Sequence, residues 1–388
     1  MTEFATPSTP PQDTPGKRVL ITGGAGFVGS HLADGLLAAG HSVRILDDLT
    51  PQVHTDGRRP TYLSNDVELV IGDVRDPNRV REVLRDIDIV FHFAATVGVG
   101  QSMYEISRYM SVNALGTAEL LQAMLDSKIK PEKLVVASSM SIYGEGRYGC
   151  SSCGQLAAPP VRPVSQLRAG EWEVGCTACG APLKPLPTDE TKPSEINSVY
   201  ALSKRDQEEL CLIYGRNYDL PVTALRFFNI YGTRQALSNP YTGVAAIFAA
   251  RMINNQPPLV FEDGEQQRDF VSVHDIVRAN MLAMQRGPSD GQVINIGCGT
   301  PITIRRVAEI LAQALGKDLA PVITEKYRAG DIRHCYADLT RARNLLGYEP
   351  QVTHEQGFKE LAAWLNQQQA EDKAETMLKE LSTYGLTA

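Results

Sequence analysis

The chain has 388 residues, 43% hydrophobic and 21% charged, values of an ordinary globular protein that exclude fibrous and disordered classes. Its 45 acidic residues outnumber 38 basic ones, for a net charge of −7, and no basic face of the kind nucleic acid or an anionic membrane demands is concentrated anywhere. No run reaches the roughly 18 apolar residues of a membrane helix, the first residues lack the features of a secretory signal, and the expected location is cytoplasmic. Residues 1–16, rich in Pro, Ser and Thr, are expected to be a disordered leader. Arg18–Thr22 then reads as a buried strand, followed by a glycine turn and an apolar-periodic helix from Phe27 to Ala39, with Gly40 at its C-cap. Ser42–Asp47 is the next strand, and further apolar strands are expected at Val67–Ile71, Ile87–Ala95, Leu134–Ser138 and Val222–Phe228. Helical patterns separate most of them, which predicts an α/β fold whose parallel sheet is covered on both faces. Residues 146–187, dense in Gly, Pro and Cys, interrupt this rhythm as an inserted module within a main domain of 17–238. Residues 239–370, with parts of 190–232, are expected to form a smaller lobe, and 371–388 a tail with a polar helix near Glu371–Leu381.

The turn after the first strand, Thr22-Gly23-Gly24-Ala25-Gly26-Phe27-Val28-Gly29, carries a dinucleotide fingerprint in Gly24, Gly26 and Gly29. Glycine suits a tight turn and lets the backbone approach a pyrophosphate, while the following helix N-terminus offers free N–H groups and partial positive charge. Gly23, Gly26, Phe27, Val28 and Gly29 are thus candidate cofactor contacts. Asp47, at the end of the second strand, suits ribose hydroxyls and repels a 2′-phosphate, which favours NAD over NADP.

Two further features follow in chain order. Ser138-Ser139-Met140-Ser141 sits at the carboxyl end of an apolar strand, where ligands bind in open α/β sheets. Tyr200 and Lys204 are spaced i and i+4 on one face of an expected helix. An ammonium beside a phenol lowers the phenol's pKa, and the phenolate can then act as a base on a substrate hydroxyl. The conjunction of glycine turn, strand-end acid, strand-end serines and Tyr/Lys helix carries more weight than any member.

Seven cysteines without an export signal indicate thiols or metal ligands. Cys150-x-x-Cys153-Gly154 and Cys176-x-x-Cys179-Gly180 form two matched knuckles separated by 22 residues. Four thiolates can enclose Zn²⁺ tetrahedrally and leave no open position, so a structural zinc is expected on Cys150, Cys153, Cys176 and Cys179. Arg147, Arg162, Arg168 and Lys184 are offset by Glu171 and Glu173, which argues against nucleic acid as this ribbon's partner. The insert falls between the Ser139 loop and the Tyr200 helix, and is expected to flank the substrate end of the cleft as a metal-stapled flap that shapes the pocket or a subunit contact. Cys211 and Cys298 read as core thiols.

In these motifs the sequence resembles the extended short-chain dehydrogenase/reductase family, and within it the sugar-nucleotide 4-epimerases of the UDP-galactose 4-epimerase type. The resemblance runs from Lys17 to Trp364, interrupted by the cysteine insert. It implies a Rossmann-type doubly wound parallel sheet with a smaller C-terminal substrate lobe. It also implies catalysis by Ser139, Tyr200 and Lys204, supported by Asn113 of the NALGT segment. Asp73 and Val74 of GDVRD, Phe93, Ala94 and Ala95, and again Tyr200 and Lys204, would line the NAD. Ser139, Asn229 of RFFNIYG, Arg268 of RDFV, Arg328 and Asp331 of RAGDIR, and Cys335 would hold the nucleotide sugar. Arginine suits the diphosphate because its planar fork binds phosphate oxygens bidentately. The resemblance further implies a homodimer, pairing a helix near Tyr104–Asp126 with the one bearing Tyr200. The segment Asp48–His54, together with the insert, resembles the dTDP-L-rhamnose 4-epimerase branch, with UDP-sugar substrates as the alternative. Other readings are a 4,6-dehydratase or decarboxylase on the same scaffold, and a non-catalytic NAD-binding regulator. Dehydratases carry Asp-Glu where this chain has Met140 and Ser141, and Asp189-Glu190 reads as a loop. Val97 stands where such epimerases present a cofactor-contacting Lys.

Overall fold

The computed structural model describes residues 16–387 except Thr55, Thr242 and Ala329. Apart from Gly16, the expected leader lies outside the described residues. Five strands come first: β1 (Arg18–Thr22), β2 (Ser42–Asp47), β3 (Glu68–Ile71), β4 (Ile89–His92) and β5 (Lys133–Ser139). The insert contributes β6 (Arg147–Cys150), β7 (Leu156–Ala157) and β8 (Leu183–Leu186). After it come β9 (Val222–Phe227), β10 (Asn229–Tyr231), β11 (Leu259–Val260), β12 (Gln267–Ser272) and β13 (Gln292–Ile296), then β14 (Pro301–Thr303), β15 (Val322–Ile323) and β16 (His334–Cys335).

The main sheet has seven strands in the order β13-β9-β5-β4-β1-β2-β3, every pairing parallel. Alternate residues of β1 explain why its run is apolar throughout. Val19 and Ile21 enter the core on one face with Leu32, Leu36 and Ile276, while Leu20 enters the other with Val80, Leu120 and Leu212. The chain reverses direction across the sheet at β1, whose neighbours are β2 and β4, so the carboxyl ends of these strands border a crevice. Thr22, Asp47, His92 and Ser139 all end strands on that edge.

A boundary at 239 does not divide this sheet. Gln292–Ile296, assigned above to the smaller lobe, pairs with β9 and forms the edge of the main sheet. The helix Val273–Ala283 likewise packs on α1 (Phe27–Ala38), where a Cβ at Gly35 would lie 3.0 Å from Val277 and 3.3 Å from Met281. What remains of the lobe is a sheet of β10, β12 and β14, with β16 paired to β12, and the pair β11–β15 around its own core. The expected helix over Tyr104–Asp126 runs unbroken from Ile106 to Asp126, with a π-helical turn at Met110–Leu115 between α-helical stretches. Ala374–Thr383 forms the tail helix, and Leu381 of it rests on Gly100. Among the described residues no helix is long and apolar enough to cross a membrane.

Candidate active site

The glycine turn is built as its spacing requires. Gly23 has φ of +68°, and a Cβ there would lie 2.8 Å from the backbone of Ala94. A Cβ on Gly29 would lie 2.5 Å from Gly24 Cα, whereas one on Gly26 would meet only the Gly23 carbonyl oxygen at 3.4 Å. Gly26 caps α1 without any side-chain hydrogen bond, which leaves Phe27, Val28 and Gly29 as an uncapped helix N-terminus at the crevice. Asp47 faces this turn. Its carboxylate accepts from the N–H of Ala25 at 3.0 Å and of Leu49 at 2.9 Å, and His54 stands 3.9 Å away. Burial raises the Asp47 pKa and lowers that of His54. Asp73, in the loop after β3, is held by Arg75, and Val74 is buried beneath it. Phe93, Ala94 and Ala95 follow β4, with Phe93 and Ala94 donating their N–H groups to Thr22 Oγ1 at 3.2 Å. Val97 is exposed.

Ser139 is the last residue of β5 and caps the tight turn Met140–Tyr143, accepting from Ser141 N at 3.2 Å and Ser141 Oγ at 2.9 Å. Tyr200 opens the helix Val199–Tyr218, whose N-cap Ser198 accepts from Ala201 N. Ser139 and Tyr200, 61 positions apart in the chain, are brought close enough at the crevice for the serine hydroxyl to lower the phenol's pKa. Burial raises the phenol's pKa, and the neighbouring Ser139 hydroxyl works against it.

Lys204 departs from its expected orientation. Its ammonium donates to Gln207 Oε1 at 2.6 Å, and Ser139, not Lys204, is the group that lowers the phenol's pKa. Burial brings the Lys204 pKa down to about 8. Gln207 in turn donates to Thr117 Oγ1 at 3.0 Å and approaches His92 Nε2 at 3.3 Å, while His92 Nδ1 bonds Thr22 Oγ1 at 2.8 Å. Burial lowers the His92 pKa to about 3, so a neutral ring joins β1 to the helix behind the site. Nothing in the local sequence singles out Gln207, His92 or Thr117, whose partners lie far along the chain. Asn113 sits in the π-turn and clamps Thr96 through both backbone groups, at 2.7 and 3.1 Å, while donating to Ser203 at 2.8 Å. It fixes the Tyr200 helix to the loop after β4.

The substrate candidates separate into two kinds. Asn229 Oδ1 is buried with no hydrogen-bond partner, as an acceptor awaiting a donor would be. Arg328 pairs with Asp331 through Nε and Nη2 at 3.1 and 2.8 Å, and both line a small cavity with Asn197 and Ser198, at the start of the Tyr200 helix, and with Leu381 and Leu386 of the tail. Arg268 and Cys335 are engaged elsewhere. Arg268 donates to the carbonyls of Gln267, Ile332 and Arg333 at 2.6–2.9 Å, and Cys335 is buried against Thr188 with its pKa pushed up to about 12. Asp189 pairs with Arg147, and Glu190 accepts from Asn295 N at 2.8 Å, both in the expected loop.

The insert forms a three-stranded sheet, β7-β6-β8, around Tyr148, Cys150, Val174, Cys176 and Leu183. Its four cysteine sulfurs lie within 4.8 Å of one another, with Cys150–Cys179 at 3.5 Å and Cys153–Cys176 at 3.8 Å. Gly154 and Gly180 close the two knuckles with φ of +71° and +74°. Their N–H groups bond the carbonyls of Cys150 and Cys176 at 2.9 and 2.8 Å.

A sequence profile described as the NAD dependent epimerase/dehydratase family matches residues 19–167 and 174–297. The chain belongs to this family. Among its relatives, the dTDP-L-rhamnose 4-epimerase of Burkholderia thailandensis is 35% identical over 355 residues, 91% of this chain and 96% of that one. The fold is similar to the UDP-glucose 4-epimerase of Thermotoga maritima, solved with UDP-glucose, with a TM-score of 0.72 and 30% identity over 90% of this chain and 99% of that one. It is also similar to the UDP-glucuronic acid 4-epimerase of Bacillus cereus, solved with UDP-glucuronic acid and NAD, with a TM-score of 0.73 and 26% identity over 90% and 99% of the two chains. Membership in the epimerase/dehydratase family is thus carried by both sequence and fold. Two matched stretches, broken at residues 168–173, leave part of the insert outside the family pattern.

Proposed function

We propose that the protein is an NAD-dependent 4-epimerase of a nucleotide-diphosphate sugar, with dTDP-L-rhamnose as the first substrate to test and UDP-sugars as the alternative. The observation that carries this reading is the buried Ser139–Tyr200 pair at the carboxyl edge of the sheet, beside the glycine turn. Gly23, Gly26, Phe27, Val28, Gly29, Asp47, Asp73, Val74, Phe93, Ala94 and Ala95 would hold NAD, with Tyr200 and Lys204 at its reactive end. The fit is specific: Gly23 and Gly29 admit no side chain, and the helix N-terminus carries no cap. When bound, NAD supplies a reversible hydride acceptor at the sugar's C4.

The chain's own residues manage the proton. Tyr200 would take the proton of the sugar 4-hydroxyl and give it back to the same oxygen once the 4-keto sugar has turned over and presents its other face. Ser139 would hydrogen-bond the same oxygen as it becomes a carbonyl. Lys204 would favour the phenolate once its ammonium turns from Gln207 to the phenol, and Asn113 holds the Tyr200 helix in place. Arg328, aimed by Asp331, would grip the nucleotide diphosphate, and the orphan acceptor of Asn229 would take a donor of the substrate, remote binding that need not change as the sugar rotates. Met140 and Ser141 offer neither acid nor base where a dehydratase needs both, which favours epimerisation over loss of water.

For the insert, the reading is a structural Zn²⁺ on Cys150, Cys153, Cys176 and Cys179. A tetrahedral site with Zn–S bonds of about 2.3 Å sets its sulfurs about 3.8 Å apart. Cys150–Cys179 and Cys153–Cys176 lie near that spacing, and all four sulfurs are within 4.8 Å of one another. Incubating the purified protein with dTDP-L-rhamnose, UDP-glucose and UDP-glucuronate, resolving the epimers and following the NADH absorbance band, tests the whole reading. One sugar should interconvert with its C4 epimer without NADH accumulating. Release of water or carbon dioxide, or growth of the NADH band in step with product, would replace it with a dehydratase, decarboxylase or dehydrogenase.

A further inference from the structure

The cysteine insert is fastened to one short stretch of the smaller lobe, residues 331–334. Arg162 of the insert donates to the Asp331 carbonyl at 3.1 Å, and Gly146 N donates to the His334 carbonyl at 2.8 Å. Glu145, at the foot of the insert, accepts from the N–H of Arg333 at 2.7 Å and of His334 at 3.3 Å. Arg268 takes the carbonyls between, at Ile332 and Arg333. The carbonyls of four successive residues are therefore each claimed by a named donor, and the insert supplies the outer pair.

Side chains repeat the pattern. Arg333 reaches out to Glu173 of the insert at 2.5 Å, and to Glu262 and Asp263 at 3.0 and 2.7 Å. Arg162 forks onto the same Glu262 at 2.8 and 3.0 Å. Arg162, Arg333 and Glu262 have side chains only 1–2% exposed. Burying several charges is a poor way to gain stability, since well-packed apolar groups do as well, but it fixes one register of the parts that carry them.

We propose that the insert is a positioning module for the substrate grip: Arg162 and Glu173 set the backbone of 331–334, and with it the Asp331 carboxylate that aims Arg328. The inference rests on the diphosphate role given to Arg328 and Asp331 above. The knuckles enter the same chain of contacts, because Glu173 is followed by Val174 and Cys176, which pack with Cys150 in the insert's core. Glu173 and Arg162 touch no candidate substrate atom, so they act through Arg333 and Asp331 only.

The test uses the full-length protein as purified, with bound NAD and zinc quantified in every sample. Wild type, Glu173→Gln and the pair Cys153→Ser with Cys179→Ser are titrated calorimetrically with UDP and with dTDP, and KM and kcat are measured separately. Glu173 is half exposed, so its substitution leaves the fold standing. Glu173→Gln should weaken nucleotide binding and raise KM about five- to tenfold, with NAD content, zinc content and kcat near wild type. The zinc-free pair should move affinity in the same direction. Wild-type protein that binds one of the two nucleotides, with both variants binding it equally tightly, overturns this inference alone, whatever happens to Tm. Wild-type protein that binds neither overturns the diphosphate reading and this inference with it.

Discussion

The crevice at the glycine turn and the junction between the insert and residues 331–334 are assembled in opposite ways. At the crevice, backbone geometry dominates: two glycines that admit no Cβ, an uncapped helix and strand ends aligned by a parallel register. At the junction, charged side chains from positions about a hundred residues apart or more converge, Arg162 on Glu262 in a nearly dry interior and the half-exposed Glu173 on Arg333 at its margin. The first construction suits the cofactor proposed for it, whose shape is fixed. The second fixes one register of the parts that carry its charges.

The largest effect should come from the crevice. Tyr200→Phe removes the proton carrier and should lower kcat by about 10³-fold, the scale of general acid–base contributions, with NAD content unchanged. Turnover within tenfold of wild type would move the base to another residue. Next, Gly23→Ala forces a non-glycine residue to φ of +68° and a Cβ against Ala94, so it should cost about 1–3 kcal/mol and deplete bound NAD. Gly26→Ala meets nothing closer than 3.4 Å and should retain both stability and NAD. Chemical denaturation with NAD quantification separates them, and equal behaviour would remove the steric argument. At the junction, Cys150→Ser with Cys176→Ser should abolish zinc binding by elemental analysis and soften the insert to proteolysis near Arg168, while the main sheet melts near wild type. A protein still holding one zinc per chain would overturn the ligand assignment.

The smallest effects are those of pH. Burial lowers Lys204 to about 8 from its ordinary 10.5, so the unfolded chain holds this proton more tightly. The burial penalty is complete below pH 8 and is relieved as pH rises from 8 towards 10.5, so this group makes stability rise across that window. Turnover should fall as pH rises through about 8, where the folded protein loses the ammonium; a profile flat from 7 to 10 would contradict its role. Glu173 runs the other way. Hydrogen bonds from His334 and Arg333 hold it at about 2 against 4.5, so its contribution is complete above pH 4.5 and is lost as pH falls through 2. Limited proteolysis should find the insert docked at pH 5.

Much of the crevice was legible because its signals are local. The strand Arg18–Thr22, the glycine turn and the strand Ser42–Asp47 all stand where hydrophobic periodicity and glycine punctuation put them. The cysteine knuckles were legible too, because chelation imposes a short spacing. What escaped is long-range. Gln292–Ile296 lies deep in the stretch assigned to the smaller lobe, and only the β9 ladder makes it part of the main sheet. The i, i+4 spacing gave Lys204 its face of the helix but not the torsions that turn its ammonium to Gln207. Arg268 could be recognised as a phosphate-binding type, yet only the fold brings the carbonyls of Ile332 and Arg333 to its guanidinium.

The central claim is that Tyr200 serves an oxidation and reduction at C4 within a single captive sugar. Supplying the nucleotide sugar with deuterium at C4 in ordinary water, and reading the product epimer by mass spectrometry and NMR, tests it directly. The account predicts that the deuterium stays at C4 of the epimerised sugar. Loss of the label to solvent, with protium at C4 of the product, would contradict it.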